Sequence, residues 1–316
     1  MSTFLMYLGI TLLVSVAALA APAMSMLLAL LWGALLIAAG LHLEKRTLLI
    51  LYLVNLVVMA IAGGPGNLLY LLAFFGLPAM LMGFFTMQRH DYYFTRRWGV
   101  AALVAGVSIY LGALYYFNGG EYLAGQVKDM VAQAGGYYDT QGWAKIYQQL
   151  GLSEEQFRQG IEGAAVNLAR HLPAIFYVQG LLAVFLMLWL ASFFTWNQLA
   201  IRLKKRPFAQ ELMPWELVWL VILGLALWLY GWDERGLTYY TGSNILVVMA
   251  VISFYYGLAS LVFRLKHERG RGRSWMLFLV VMLALFFPLS ALGFLCILGI
   301  FDSLLELRKP FSGQEV

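Results

Sequence analysis

Five polar or ionisable residues stand inside or at the ends of the long apolar runs of this chain: Asn55, Gln179, Asn197, Asn244 and Asp302. Facing lipid, each would give up its bonds to water without replacement, so each must face a neighbouring helix or a cavity. An amide in such a place does one of two things. It bonds across helices, which is worth on the order of 0.6 kcal/mol, or it offers its oxygen and nitrogen to a solute. Asp302 differs because it ionises. It stands among Ile300, Phe301, Leu304 and Leu305, with Glu306 one turn on and Arg308 six residues on. Side chains three or four apart meet on a helix and those six apart do not. Asp302 is therefore expected to pair across helices with a cation from 202–206 or 264–273. A proton or ion site for transport is the alternative.

Other chemistry is not spelled out. His42, His90, His171 and His267 are scattered over span ends and loops, and no His or Cys falls at metal-ligand spacing. Gly63-Gly64-Pro65-Gly66 joins two apolar runs and reads as a turn, not as a phosphate loop. There is no nucleophile elbow around a serine. No catalytic, cofactor-binding or metal residue is assigned, and an enzyme is not expected. Cys296 is the single cysteine, so no intrachain disulfide forms, and its apolar setting reads as a small buried hydrophobe.

Composition names the solvent these residues live in. Hydrophobic residues make up 62% of the 316 and charged residues 12%, against roughly 45–50% and about 25% in soluble domains. The net charge of +5 sits in short clusters between apolar runs. That is the bias of cytoplasmic loops in a bilayer, and it excludes nucleic acid as the partner. The densest clusters are Arg202, Lys204, Lys205 and Arg206, then Arg264, Lys266, Arg269, Arg271 and Arg273. Both are expected to meet anionic lipid headgroups or a cytoplasmic partner. The first apolar run, Thr3 to Ala18, lacks a positive leader and is followed at once by another run, so it reads as an uncleaved span.

A helix needs about 20 residues to cross roughly 30 Å of hydrocarbon. Spans are expected at about 3–20, 23–41, 47–63, 67–87, 98–117, 172–201, 214–232 and 243–265. Ala21-Pro22 makes one tight turn, Gly63–Asn67 another, and Pro78 kinks the fourth span. Trp215, Trp219, Trp228 and Trp232 flank the seventh as interfacial anchors. The apolar stretch 275–309 would measure about 52 Å as one helix, and Pro288 sits near its middle. It makes either one long span or two short ones. With two, 16 Lys or Arg fall on the inner side and 5 on the outer, which favours two.

Between the fifth and sixth spans, Gly119–His171 is polar and mildly acidic. Ser153-Glu154-Glu155-Gln156 has the pattern of a capping box, and Phe157, Ile161, Ala164, Ala165 and Leu168 follow at helical spacing. Short amphipathic helices on the outer surface, a solvated loop, and a lid over a cavity all fit. Ala29/Gly33, Ala34/Ala38 and Ser253/Gly257 are four apart, a spacing that lets helices approach closely. The expected fold class is all-α: a polytopic transmembrane helical bundle of nine to ten spans, ten preferred, with a short amphipathic-helical extracytoplasmic insertion. Residues 1–117 would hold five spans, 118–171 the insertion and 172–316 the rest. Both termini are expected on the cytoplasmic side of the cell membrane.

Three carboxyl-terminal features carry a resemblance. They are the basic loop leading into Leu212-Met213-Pro214-Trp215, the segment Asn244…Tyr255-Tyr256-Gly257-Leu258, and the ending Leu298-Gly299-Ile300-Phe301-Asp302…Arg308. With Gly76-Leu77-Pro78-Ala79…Gly83 nearer the amino terminus, the chain resembles the YybS-like family of uncharacterised bacterial membrane proteins. That family is distantly similar to the substrate-binding components of energy-coupling-factor transporters. The resemblance implies a helical membrane core with room for a small solute. The chain has no ATP-binding motif, so any active transport would need a partner ATPase. The resemblance transfers no substrate and no catalytic residue. A solute-binding or transport protein is thus the first expectation, and a membrane scaffold using the basic loops and the outer segment is the alternative.

Overall fold

In the computed structural model, residues 2–119, 125, 129, 154–194, 205–267, 271–305 and 308 are described, and among them every regular element is helical. We label the main helices α1 (Ser2–Ala20), α2 (Ser25–Ala39), α3 (Lys45–Leu71), α4 (Leu77–Met87), α5 (Tyr92–Asn118), α6 (Glu154–Phe194), α7 (Leu217–Tyr230), α8 (Leu237–His267), α9 (Arg271–Phe286) and α10 (Pro288–Leu305). Six helical stretches are long and apolar enough to cross a membrane, and the apolar helices Ser25–Ala39, Leu217–Tyr230 and Leu277–Phe286 are shorter. The chain forms two compact units, Met1–Lys205 and Arg206–Val316.

The first unit is built around α2. Ten of its 15 residues are buried, Trp32 and Ile37 completely. A helix apolar on all sides has to be enclosed by others, and α1, α4 and α6 enclose it. At its end the backbones touch: a Cβ on Gly40 would lie 2.2 Å from the Gly83 carbonyl oxygen of α4. Large apolar side chains on the outer faces, such as Leu13 on α1 and Ile61 on α3, are 70% and 82% exposed. An aqueous surface does not tolerate many such faces, and a lipid-facing one requires them.

The longest apolar stretch of this unit, Lys45–Met87, has 43 residues and would span about 65 Å if straight. It is not straight. Gly64 leaves helical geometry at φ 75°, ψ 173°, a conformation that glycine adopts without a Cβ penalty. On either side the chain lies against itself. Lys45 Nζ sits 5.5 Å from the centre of the Phe84 ring, and a Cβ on Gly76 would lie 3.1 Å from the Tyr52 hydroxyl. The turn expected at Gly63–Asn67 is therefore a reversal at one residue, with helix on both sides. Pro78 falls in the first turn of α4, where a missing N–H costs little, and a π-helical turn at Leu72–Gly76 precedes it.

Two element boundaries differ from expectation. α5 begins at Tyr92, where Asp91 caps it by accepting from the Phe94 amide at 3.2 Å. Arg96 and Arg97 thus stand on the helix and not in a loop. Arg96 lies 4.8 Å from the Tyr93 ring centre and 5.3 Å from that of Phe185. α6 runs unbroken through Pro173 for 41 residues, about 61 Å of helix. The stretch 154–171 is therefore no separate surface helix but the first turns of the helix that continues to Phe194. A single proline removes one backbone bond, and the Glu, Gln, Ala, Leu and Arg around it favour helix on both sides. Ser153 of the capping box lies outside the described residues.

In the second unit, α7 and α8 form a hairpin. A Cβ on Gly242 would lie 2.4 Å from the Trp228 amide nitrogen and 2.7 Å from the Gly224 carbonyl. At the turn, the Trp228, Trp232 and Tyr239 rings meet edge-on or tilted with centres within 6.1 Å of one another, and Trp215 and Trp219 at the other end of α7 are exposed. α10 packs along α8 at still closer range. A Cβ on Gly257 would lie 1.8 Å from the Leu295 carbonyl, and one on Gly299 2.1 Å from the Ser253 carbonyl. Cys296 Sγ donates to the Ala250 carbonyl at 3.3 Å, and the Arg308 guanidinium sits 5.3 Å over Phe263. Contacts thus advance together along both helices, so α8 and α10 run parallel. The intervening α9 must return the chain, and Phe287-Pro288 is where it reverses.

Candidate functional site

Asn55 occupies the middle of the first unit, completely buried. Its Oδ1 accepts from Ser15 Oγ at 2.8 Å and from the Trp32 indole N–H at 3.1 Å. Its Nδ2 donates to Thr11 Oγ1 at 3.0 Å and to the Leu51 carbonyl at 2.8 Å. An amide has two donors and two acceptor lone pairs, and here all four have a partner, the Ser15 hydroxyl dividing its one proton between Asn55 Oδ1 and the Thr11 carbonyl at 2.6 Å. Thr11 in turn donates to the Tyr7 carbonyl at 2.8 Å. The network ties α1, α2 and α3 together. Thr11 and Ser15 sit four apart on one face of α1, a signal present in the sequence. Trp32 looks like one more apolar residue there, and only the fold puts its N–H to use.

Gln179 on α6 is bound differently. Its Nε2 donates to the Tyr70 hydroxyl at 2.6 Å. That is its one hydrogen bond among the described residues, and its Oε1 carbonyl accepts none. The Tyr70 ring stands in an aromatic group, 4.6 Å from Phe74 and 5.9 Å from Tyr110, and Phe176 lies 5.6 Å from Phe74. Nearby, on the same two helices α5 and α6, Ser108 Oγ and the Tyr177 hydroxyl are 2.7 Å apart. The result is a half-buried amide and a phenol among aromatic rings, with hydrogen-bonding capacity left over.

In the second unit, Asn244 donates to the Tyr240 carbonyl of its own helix at 2.7 Å. Asp302, 2% exposed, meets Arg308, 8% exposed. Arg308 Nε donates to Asp302 Oδ2 at 2.7 Å, and Nη2 lies 2.6 Å from the same oxygen as an ion-pair contact. Nη1 donates to the Ala209 carbonyl. The expected partner from 202–206 or 264–273 is thus replaced by Arg308. The reason is that Arg308 stands in a turn and not on a helix: there six residues is no longer a helical spacing, and the Arg308 side chain reaches Asp302. Close by, the Tyr255 hydroxyl donates to Glu211 Oε2 at 2.9 Å, and Ser253 Oγ lies 4.0 Å from Met213 Sδ. The three carboxyl-terminal motifs of the sequence therefore meet in one place.

The basic clusters are placed in part. Lys205 is half-buried and Arg206 exposed; Arg264 is half-buried and Lys266 exposed. Arg271 and Arg273 lie in the first turn of α9. Asn197, Arg202, Lys204, Arg269 and Glu306 lie outside the described residues. Among the described residues, no group of three His, Cys, Asp or Glu side chains comes together as a metal set would.

Comparison with curated proteins and with solved structures returned no match. The family model described as predicted membrane protein (DUF2232) matches residues 9–303. With nearly the whole length covered, from α1 to the last turns of α10, this membrane protein belongs to that family.

Proposed function

We infer that the first unit binds a small uncharged solute at Gln179 and Tyr70. The observation that carries this is the contrast between two membrane amides. Asn55 has spent all four of its bonds on the protein, while Gln179 has spent one. Aromatic rings beside an uncommitted amide oxygen suit a molecule with a flat apolar body and a hydrogen-bond donor. The resemblance to the YybS-like family, and through it to energy-coupling-factor substrate components, supports the same reading. The role carries no catalytic step, and active transport would need a partner ATPase.

The chain reversals at Gly64 and at Phe287-Pro288 support ten spans, and the excess of Lys and Arg in alternate loops supports both termini and the basic clusters on the cytoplasmic side of the cell membrane. Cysteine placed at Lys145 then reacts with an impermeant maleimide in whole cells, and cysteine at Lys205 does not. The opposite pattern would invert the arrangement. The binding role is tested by a thermal-shift screen of vitamins, nucleosides and other uncharged solutes on purified protein. A hit whose shift disappears in Gln179→Leu supports it, and silence across the screen counts against it.

A second reading, a membrane scaffold, is favoured by the way Asn55, Asn244 and Asp302 are all bonded within the protein. Anionic headgroups or a cytoplasmic partner would meet the basic clusters, at about 1 kcal/mol per cation near a charged leaflet. Crosslinking in intact cells from Lys205 and Lys266 separates the readings, since a scaffold gives reproducible protein partners there.

A further inference from the structure

The α8–α10 interface changes character along its length. Where Ser253, Gly257, Leu295 and Gly299 meet, the two backbones touch and nothing fits between them. One turn further toward the basic end, the same face of α8 presents Ser260 and then Arg264, seven and eleven residues beyond Ser253. Opposite, α10 presents Asp302 and Ser303, one turn beyond Gly299. Parallel packing holds this register out to Arg308, whose guanidinium reaches Phe263 beside Arg264.

Among the described residues, five buried polar atoms at this end have no hydrogen-bond partner: Ser260 Oγ, Arg264 Nε, Asp302 Oδ1, Ser303 Oγ and Arg308 Nη2. Nη2 is held against Asp302 Oδ2 as an ion-pair contact, which leaves four. Ser260 is fully buried and Asp302 is 2% exposed. Buried polar groups in native proteins are nearly always bonded, and a set of exceptions in one place indicates a bound water or ion. The chemistry of the four atoms separates the candidates. Arg264 Nε only donates, an ionised Asp302 Oδ1 only accepts, and the two hydroxyls do both. A bare cation would face the Arg264 and Arg308 guanidinium groups, and an anion would face the Asp302 carboxylate. A neutral molecule that donates and accepts meets all four, and water needs two to four such partners.

We propose that ordered water occupies the basic end of the α8–α10 interface, bonded by Asp302 Oδ1, Ser260 Oγ, Ser303 Oγ and Arg264 Nε. The Asp302–Arg308 pair is then hydrated on its second carboxylate oxygen and is not a dry ion pair. The tight glycine crossing closes this water off from the rest of the interface.

The test is the sign of a stability change in nanodisc-embedded protein. In a dry site, Ser260→Ala or Ser303→Ala removes a stranded hydroxyl and raises the melting temperature. In a hydrated site each lowers it, and the double variant lowers it by less than the sum because the hydroxyls share solvent. A rise, or no change, in either single variant overturns the proposal. Exchanging sodium for potassium, or chloride for phosphate, leaves the melting temperature where it was. A shift specific to one ion would replace water with that ion and overturn the proposal as well.

Discussion

The polar centre of the first unit and the polar end of the second solve one problem in two ways. Asn55 is uncharged, lies mid-helix and is sealed, with each of its hydrogen-bonding positions taken by α1, α2 or α3. Asp302 is ionisable and lies in the last turn of α10. It is bonded by an arginine beyond the helix and keeps one oxygen without a partner. An amide can be enclosed in apolar surroundings once its four positions are filled. A charge needs a counter-charge as well, and here Arg308 supplies it. The difference teaches where function can reside. A saturated group holds helices together, and an unsaturated one has something left to offer.

Moving a charge into the sealed centre should break the comparison most severely. Asn55→Asp places a carboxylate among partners that include no cation and removes the donor that serves Thr11 Oγ1 and the Leu51 carbonyl. A loss of roughly 3–5 kcal/mol follows, read as a protein that fails to accumulate in the membrane. Removing the charge from the second unit should cost somewhat less. Asp302→Asn leaves Arg308 buried without its counter-charge, a loss of about 3 kcal/mol, and adding Arg308→Gln recovers part of the melting temperature. If Asp302→Asn melted normally and instead abolished uptake, the residue would be an ion site and not a structural partner. Asn55→Leu strands the Trp32 N–H and gives up four bonds at about 0.6 kcal/mol each, about 2 kcal/mol together. The smallest change is Gln179→Leu, about 0.6 kcal/mol for its one bond. Equal losses for Asn55→Leu and Gln179→Leu would erase the distinction between the two amides.

Much of this was legible in the sequence, and what was not has a common cause. The reversal at Gly64 shows in the Gly-Gly-Pro-Gly run, because breaker chemistry is local. The backbone contact at Gly257 shows in its spacing from Ser253, because a helix face is also local. The apolar stretch from 275 to 309 left one span or two open, and the parallel course of α8 and α10 that bears on it is tertiary. The partners of Asn55 were hidden because they come from two other helices, and Trp32 carries no mark of being a donor. Arg308 was misjudged because its reach depends on where α10 stops. Arg308 stands in a turn, and no glycine or proline between Asp302 and Arg308 announces it. The continuity of α6 was missed because the chain turns from polar to apolar near His171, and a change of polarity does not by itself end a helix.

The account rests on Gln179 facing a solute while Asn55 faces only protein, and an experimental density map of the protein in nanodiscs, purified without stripping its small molecules, tests this most directly. The predicted result is non-protein density within hydrogen-bonding distance of Gln179 Oε1, flanked by Tyr70 and the Phe74–Tyr110–Phe176 rings, and none at Asn55. Gln179 Oε1 bonded by the protein's own chain, with the aromatic rings closed over it, would contradict the account.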